Sequence, residues 1–101
     1  MTATVTLKLI TIVAEALLEE RLVRAITALG ARGYSVGHVR GQGSRGVRAS
    51  DWEGQNVRIE TLVLPEVAEK ILEHLTREYF QNFAVIAYTQ DAAVVRGEKY
   101  T

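Results

Sequence analysis

Residues 56–79 read "NVRIETLVLPEVAEKILEHLTREY", and a change of period inside this stretch decides the fold. Val57, Ile59, Thr61 and Val63 alternate with Arg58, Glu60, Leu62 and Leu64. That two-residue repeat belongs to a strand whose faces meet different surroundings. After Pro65 the repeat becomes helical, and Ala68, Ile71, Leu72, Leu75 and Tyr79 fall on one stripe. Proline suits the first helical position because its φ is already helical and the amide it lacks would have no partner there. Glu66–Lys70 and Glu73–Arg77 are each one turn apart, so their opposite charges can pair. The stretch predicts a strand running directly into a helix.

The same switch occurs earlier in the chain. Val5, Leu7 and Leu9 alternate with Thr6 and Lys8, and the run then turns apolar on both sides through Ile10, Ile12 and Val13. A strand apolar on both faces is covered on both. From Glu15 to Leu29 the period is helical, with Leu18, Leu22, Ala25, Ile26 and Leu29 on one face and Glu20 placed to pair with Arg24. Gly30 and Gly33 supply the stop. "YSVGHV" (34–39) is the second strand, "AVIAYTQD" (84–91) the fourth, and "AVVRG" (93–97) a short fifth piece.

The order is βαββαβ. Two right-handed crossovers then lay both helices on one face of the sheet, which predicts an α+β, ferredoxin-like sandwich forming a single domain over residues 1–101. The other face has no helix. Ile10, Ile12, Leu62, Leu64, Ile86 and Tyr88 are too many apolar residues for one layer beneath two helices. Closing open sheet faces together in a homo-oligomer accounts for the excess.

Composition narrows the function classes. The 101 residues are 48% hydrophobic, carry no formal net charge and contain no cysteine. No global field draws nucleic acid or an acidic membrane. Disulfides, thiolate catalysis and Cys-containing zinc sites are excluded. "LKLITIVAEALLEE" (7–20) lacks the basic lead of a signal peptide and meets Glu15 too early. No apolar run reaches about 18 residues, so the expected location is cytoplasmic, without membrane insertion.

An RNA-recognition domain would stack bases on aromatic side chains of its central strands, and "NVRIETLVL" has none. An acylphosphatase would place an arginine-bearing anion loop after the first strand, where this chain has the acidic "VAEALLEE". His38 and His74 lie on different elements with no third ligand at metal-site spacing. They read as a strand-end and a surface-helix histidine. Trp52 is either a partner anchor or a cover for its own loop.

One segment is left unexplained. A hairpin connection takes about 2–5 residues, yet the second and third strands are joined by Gly41 to Gln55, beginning "GQGSRGVR" (41–48). Gly41, Gly43 and Gly46 leave backbone amides unobstructed to converge on an anion. Ser44 adds a hydroxyl, and Arg45 and Arg48 add planar guanidinium forks suited to phosphate. The alternative is a solvated loop whose arginines serve solubility, and glycine with arginine alone does not decide between the two.

These residues resemble a known family. "GYSVGHVRGQGSRGVR" (33–48) together with "VRIETLVLPEVAEKILEHL" (57–75) resembles the PII signalling-protein superfamily. The similarity is to the PII-like branch associated with bicarbonate uptake and carboxysomes, whose loop follows "GxGSRxxR". The resemblance implies a non-enzymatic homotrimer that binds adenine nucleotide between subunits. It further implies bicarbonate as a second ligand and a bicarbonate transporter or carboxysome-related protein as partner.

Carried over by position, Arg45 and Arg48 contact phosphates while Gly41, Gly43 and Ser44 shape the pocket. Ser35, Gly37 and Leu62 lie around the adenine, and backbone at Ala84, Val85 and Ile86 of the adjacent subunit completes the cleft. Arg96 corresponds to a C-terminal arginine of nitrogen-regulatory members. Amides of Gly41, Gln42, Gly43 and Ser44 are the candidate bicarbonate donors. In place of the glycine- and lysine-rich phosphate loop of nitrogen-regulatory members stands "YFQNFAV" (79–85), which favours AMP or ADP over ATP. Their modified tyrosine is missing, so uridylylation is not implied. The rival reading is a phosphoanhydride or acyl-phosphate hydrolase on the same fold, with Asp51 or Glu53 as general base beside Arg45 and Arg48.

Overall fold

The computed structural model describes residues 2–40 and 56–101. Its elements are β1 (Val5–Glu15), α1 (Glu19–Leu29), β2 (Ser35–Val39), β3 (Asn56–Val63), α2 (Pro65–Glu78) and β4 (Ile86–Val94). The strands form one antiparallel sheet in the order β2-β3-β1-β4. The ferredoxin-like α+β fold is present.

Register assigns the faces. Ile10, Ile12 and Ala14 of β1 stand opposite Thr61, Ile59 and Val57 of β3. Ile10, Ile12, Ala14, Val57 and Ile59 join Leu22 and Ile26 of α1 and Ala68, Ile71 and Leu75 of α2 in the core. Of the six apolar strand residues too many for one layer, Ile10 and Ile12 are the ones buried under the helices, and both are fully inaccessible. The face away from the helices carries Leu7, Leu9, Thr11 and Val13 of β1, Arg58, Glu60 and Leu62 of β3, and Ile86 and Tyr88 of β4. Ile86 and Tyr88 are 59% and 49% exposed.

Several boundaries differ from the sequence expectation. The first helix starts at Glu19, not Glu15, because β1 stays paired to β3 through Glu15–Asn56. A 3-10 turn, Ala16–Leu18, then redirects the chain, and Glu19 and Glu20 meet the positive end of the helix dipole. Gly30 closes α1 at φ 124°, donating to the carbonyls of Ile26 and Thr27. Gly33 does not share that backbone geometry. Its carbonyl instead accepts a hydrogen bond from Thr61 Oγ1 at 2.6 Å.

The fourth strand begins at Ile86 and runs on to Val94, so "AVVRG" is no separate strand. β4 stays laddered to β1 as far as Val94–Val5. The backbone then reverses through Arg96, at φ 62°, into a 3-10 turn, Gly97–Tyr100. Arg77 pairs with Glu78 at 3.4 Å rather than with Glu73. Among the described residues the Glu66–Lys70 pair does not form, whereas Glu20–Arg24 does at 3.8 Å.

Candidate functional site

The antiparallel register sets out the site as rows across the sheet. Gly37 of β2 stands opposite Arg58, Arg58 opposite Val13, and Val13 opposite Ile86 of β4. The next row is Ser35, Glu60, Thr11 and Tyr88. Side chains alternate along each strand, so Ser35, Gly37 and Leu62 share the helix-free face near the β2 edge. Among the described residues, nothing lies within 4 Å of a Cβ built on Gly37, which leaves space beside Arg58.

Ala84, Val85 and Ile86 lie at the other edge. Three strand spacings separate β2 from β4, about 14 Å at roughly 4.8 Å each. An adenine ring does not bridge that gap. Within one chain the structure thus brings together Ser35, Gly37 and Leu62, but keeps Ala84–Ile86 apart from them. Arg96 is apart from both. It follows Val94, which is paired with Val5, whereas Ile86 is paired with Val13, eight residues or about 27 Å away along the strand.

Gly41, Gln42, Gly43, Ser44, Arg45 and Arg48 fall outside the described residues, as do Gly46, Asp51, Trp52 and Glu53. Two residues that sequence reasoning passed over, Arg58 and Glu60, sit in the same rows as Gly37 and Ser35. Their signal was legible: they alternate with the buried set of β3 and share a face with Leu62.

Other candidates lead away from this face. His38 is exposed at the β2 edge, and the His74 ring lies 5.8 Å from that of Tyr79. Among the described residues, no three His, Asp or Glu side chains gather as a metal site would require. A hollow of about 290 Å³ lies between α1 and Tyr34, lined by Glu19, Glu20, Val23 and Arg24. Its charges are partly consumed by the Glu20–Arg24 pair. No helix among the described residues is long and apolar enough to cross a membrane.

Comparison with known proteins agrees with this fold. Residues 7–99 match the family model described as Nitrogen regulatory protein P-II. A PII-like signaling protein from Thermus thermophilus is 58% identical over 99% of this chain and 100% of its own, with a TM-score of 0.87. CPII from Thiomonas intermedia, solved bound to ADP and bicarbonate, is 21% identical, covers both chains in full and superimposes with a TM-score of 0.88. Another structure of that protein, bound to ADP, AMP and acetate, is 22% identical over 96% of both chains, with a TM-score of 0.85. A chain matched from its first strand to its C-terminal turn, with this strand order and this pair of helices, belongs to the nitrogen regulatory protein P-II family.

Proposed function

We propose that this protein is a non-catalytic PII-like signalling protein that binds AMP or ADP in clefts between the subunits of a homotrimer. Bicarbonate is its second ligand, and its partner is a bicarbonate transporter or a carboxysome-related protein in the cytoplasm. One observation carries the reading: the residues assigned to adenine occupy opposite edges of one sheet. Ser35, Gly37 and Leu62 stand near one edge and Ala84–Ile86 at the other, so they form one cleft only when two copies meet edge to edge.

The ADP- and bicarbonate-bound structures of CPII support the choice of ligands. β2 ends and β3 starts at the end of the sheet where β4 begins, and this reading gives the phosphates to Arg45 and Arg48. A nucleotide that binds only one arrangement of residues 41–55 shifts their population, and the partner reads the shift. The domain comprises residues 1–101.

The test is calorimetric titration with AMP, ADP, ATP and cyclic AMP, each in chloride and in bicarbonate at fixed pH and ionic strength. AMP or ADP should bind best. Bicarbonate should tighten that binding by about 5- to 150-fold, the range of ordinary coupling between two sites. Absence of nucleotide binding defeats the proposal. Slow hydrolysis of ADP or acetyl phosphate by the purified protein would favour the hydrolase instead.

A further inference from the structure

Arg21 stands on α1 with its guanidinium carbon 5.3 Å from the ring centre of Tyr79 and 5.5 Å from that of Phe83. The two rings lie 5.7 Å apart, centre to centre. One cation therefore faces two π systems, each within the roughly 6 Å over which the ring quadrupole attracts it.

The rings bracket the connection from α2 to β4. Tyr79 is 4% exposed and belongs to the core, whereas Phe83 only packs against that core. The Tyr79 carbonyl accepts hydrogen bonds from the amides of Asn82 at 3.1 Å and Phe83 at 2.9 Å. The Phe83 carbonyl accepts one from Val85 at 3.0 Å. The placement of Ala84 and Val85 thus descends from Tyr79 through Phe83, and Arg21 is the side chain spanning both.

The geometry points to Arg21 as a positioning residue that clamps Phe83 to Tyr79 and thereby sets where the Ala84–Ile86 backbone stands. The inference rests on the proposed nucleotide cleft, because that backbone is the wall one subunit lends to its neighbour's ligand. Arg21 stands on α1, on the helix-covered side of the sheet, and acts through Phe83. If the clamp is lost, the connection occupies its competent position for less of the time, and apparent affinity falls by that fraction.

The test compares Arg21→Gln, which removes the cation, with Arg21→Lys, which keeps it. Two readouts are used: amide hydrogen exchange along the chain, and ADP affinity by calorimetry. In Arg21→Gln the amides of Asn82, Phe83 and Val85 should exchange about 2- to 5-fold faster, with a similar loss of ADP affinity, as expected for an exposed cation–π contact. Amides of β1 and β3 should be unaffected, and Arg21→Lys should recover part of both effects. Unchanged exchange at Asn82–Val85, equal acceleration throughout β1 and β3, or no recovery with lysine would overturn the clamp. If the parent protein binds no ADP, the proposed function fails, and the exchange data still judge the clamp.

Discussion

Gly97 and Val5 approach so closely that a Cβ on the glycine would lie 2.5 Å from the Cβ of the valine. The contact seats the C-terminal turn, Gly97–Tyr100, against the start of β1. It explains why this glycine carries no side chain. Valine Cβ is fixed to the backbone and cannot rotate aside, so Gly97→Ala forces the turn away from the strand. Overpacking of this kind costs about 1–3 kcal/mol. Thermal unfolding at fixed protein concentration should show a midpoint several degrees lower. A Gly97→Ala variant as stable as the parent would show that the turn detaches without cost.

The bond from Thr61 Oγ1 to the Gly33 carbonyl joins two segments 28 residues apart, and Thr61 is 3% exposed. It fastens the connection that leads into Ser35. Thr61→Val keeps the shape but leaves a carbonyl without its partner, at a cost of about 1–3 kcal/mol. Thr61→Ser keeps the donor and should lie nearer the parent. Urea unfolding midpoints measure the difference, and identical midpoints for valine and threonine would remove the bond from the account of stability.

Besides the edge-to-edge clefts, the proposed trimer closes the helix-free sheet faces together, as the excess of apolar strand residues calls for. Light scattering at micromolar concentration should report about three times the 11.2 kDa chain mass. Tyr88, exposed on that face, would then be covered by a neighbour. A buried, unpaired carboxylate is strongly disfavoured, so Tyr88→Glu should shift the population toward the chain mass while circular dichroism keeps the helix and strand signal. A parent protein that scatters as a monomer contradicts the shared cleft.

The proposed function gives Arg48 to the phosphates. Arg48→Ala removes a charge-assisted hydrogen bond worth about 1.5–3 kcal/mol, so ADP affinity should fall roughly 10- to 150-fold. Arg48→Lys should restore part of it, because an ammonium has charge but no planar fork. Equal affinity in parent, alanine and lysine proteins would place the phosphate elsewhere.

Period and punctuation carried much of the fold. β3 and α2 were legible at once, since Val57, Ile59, Thr61 and Val63 alternate and Ala68, Ile71, Leu75 and Tyr79 recur at helical spacing. All eight are buried in the folded chain. The residues assigned to adenine came from resemblance rather than spacing, because "SVG" and "AVI" differ little from any other short strand.

Periodicity is a local property, and it settled which segments are strands and which are helices, and hence the βαββαβ order. Pairing between distant segments settled the remainder. β1 is apolar on both sides, so only its register against β3 and β4 shows that Ile10 and Ile12 face the helices while Leu9 and Val13 do not. Leu7 is fully buried on the helix-free side, on the stretch of β1 where the C-terminal turn packs against Val5. The separation of Ser35 and Gly37 from Ala84–Ile86 likewise follows from strand order, which no local pattern encodes. Side-chain period depends on neighbours two to four residues away along the chain. Strand order and register depend on loop closure and core packing between residues tens of positions apart, and those are decided only when the whole sheet forms.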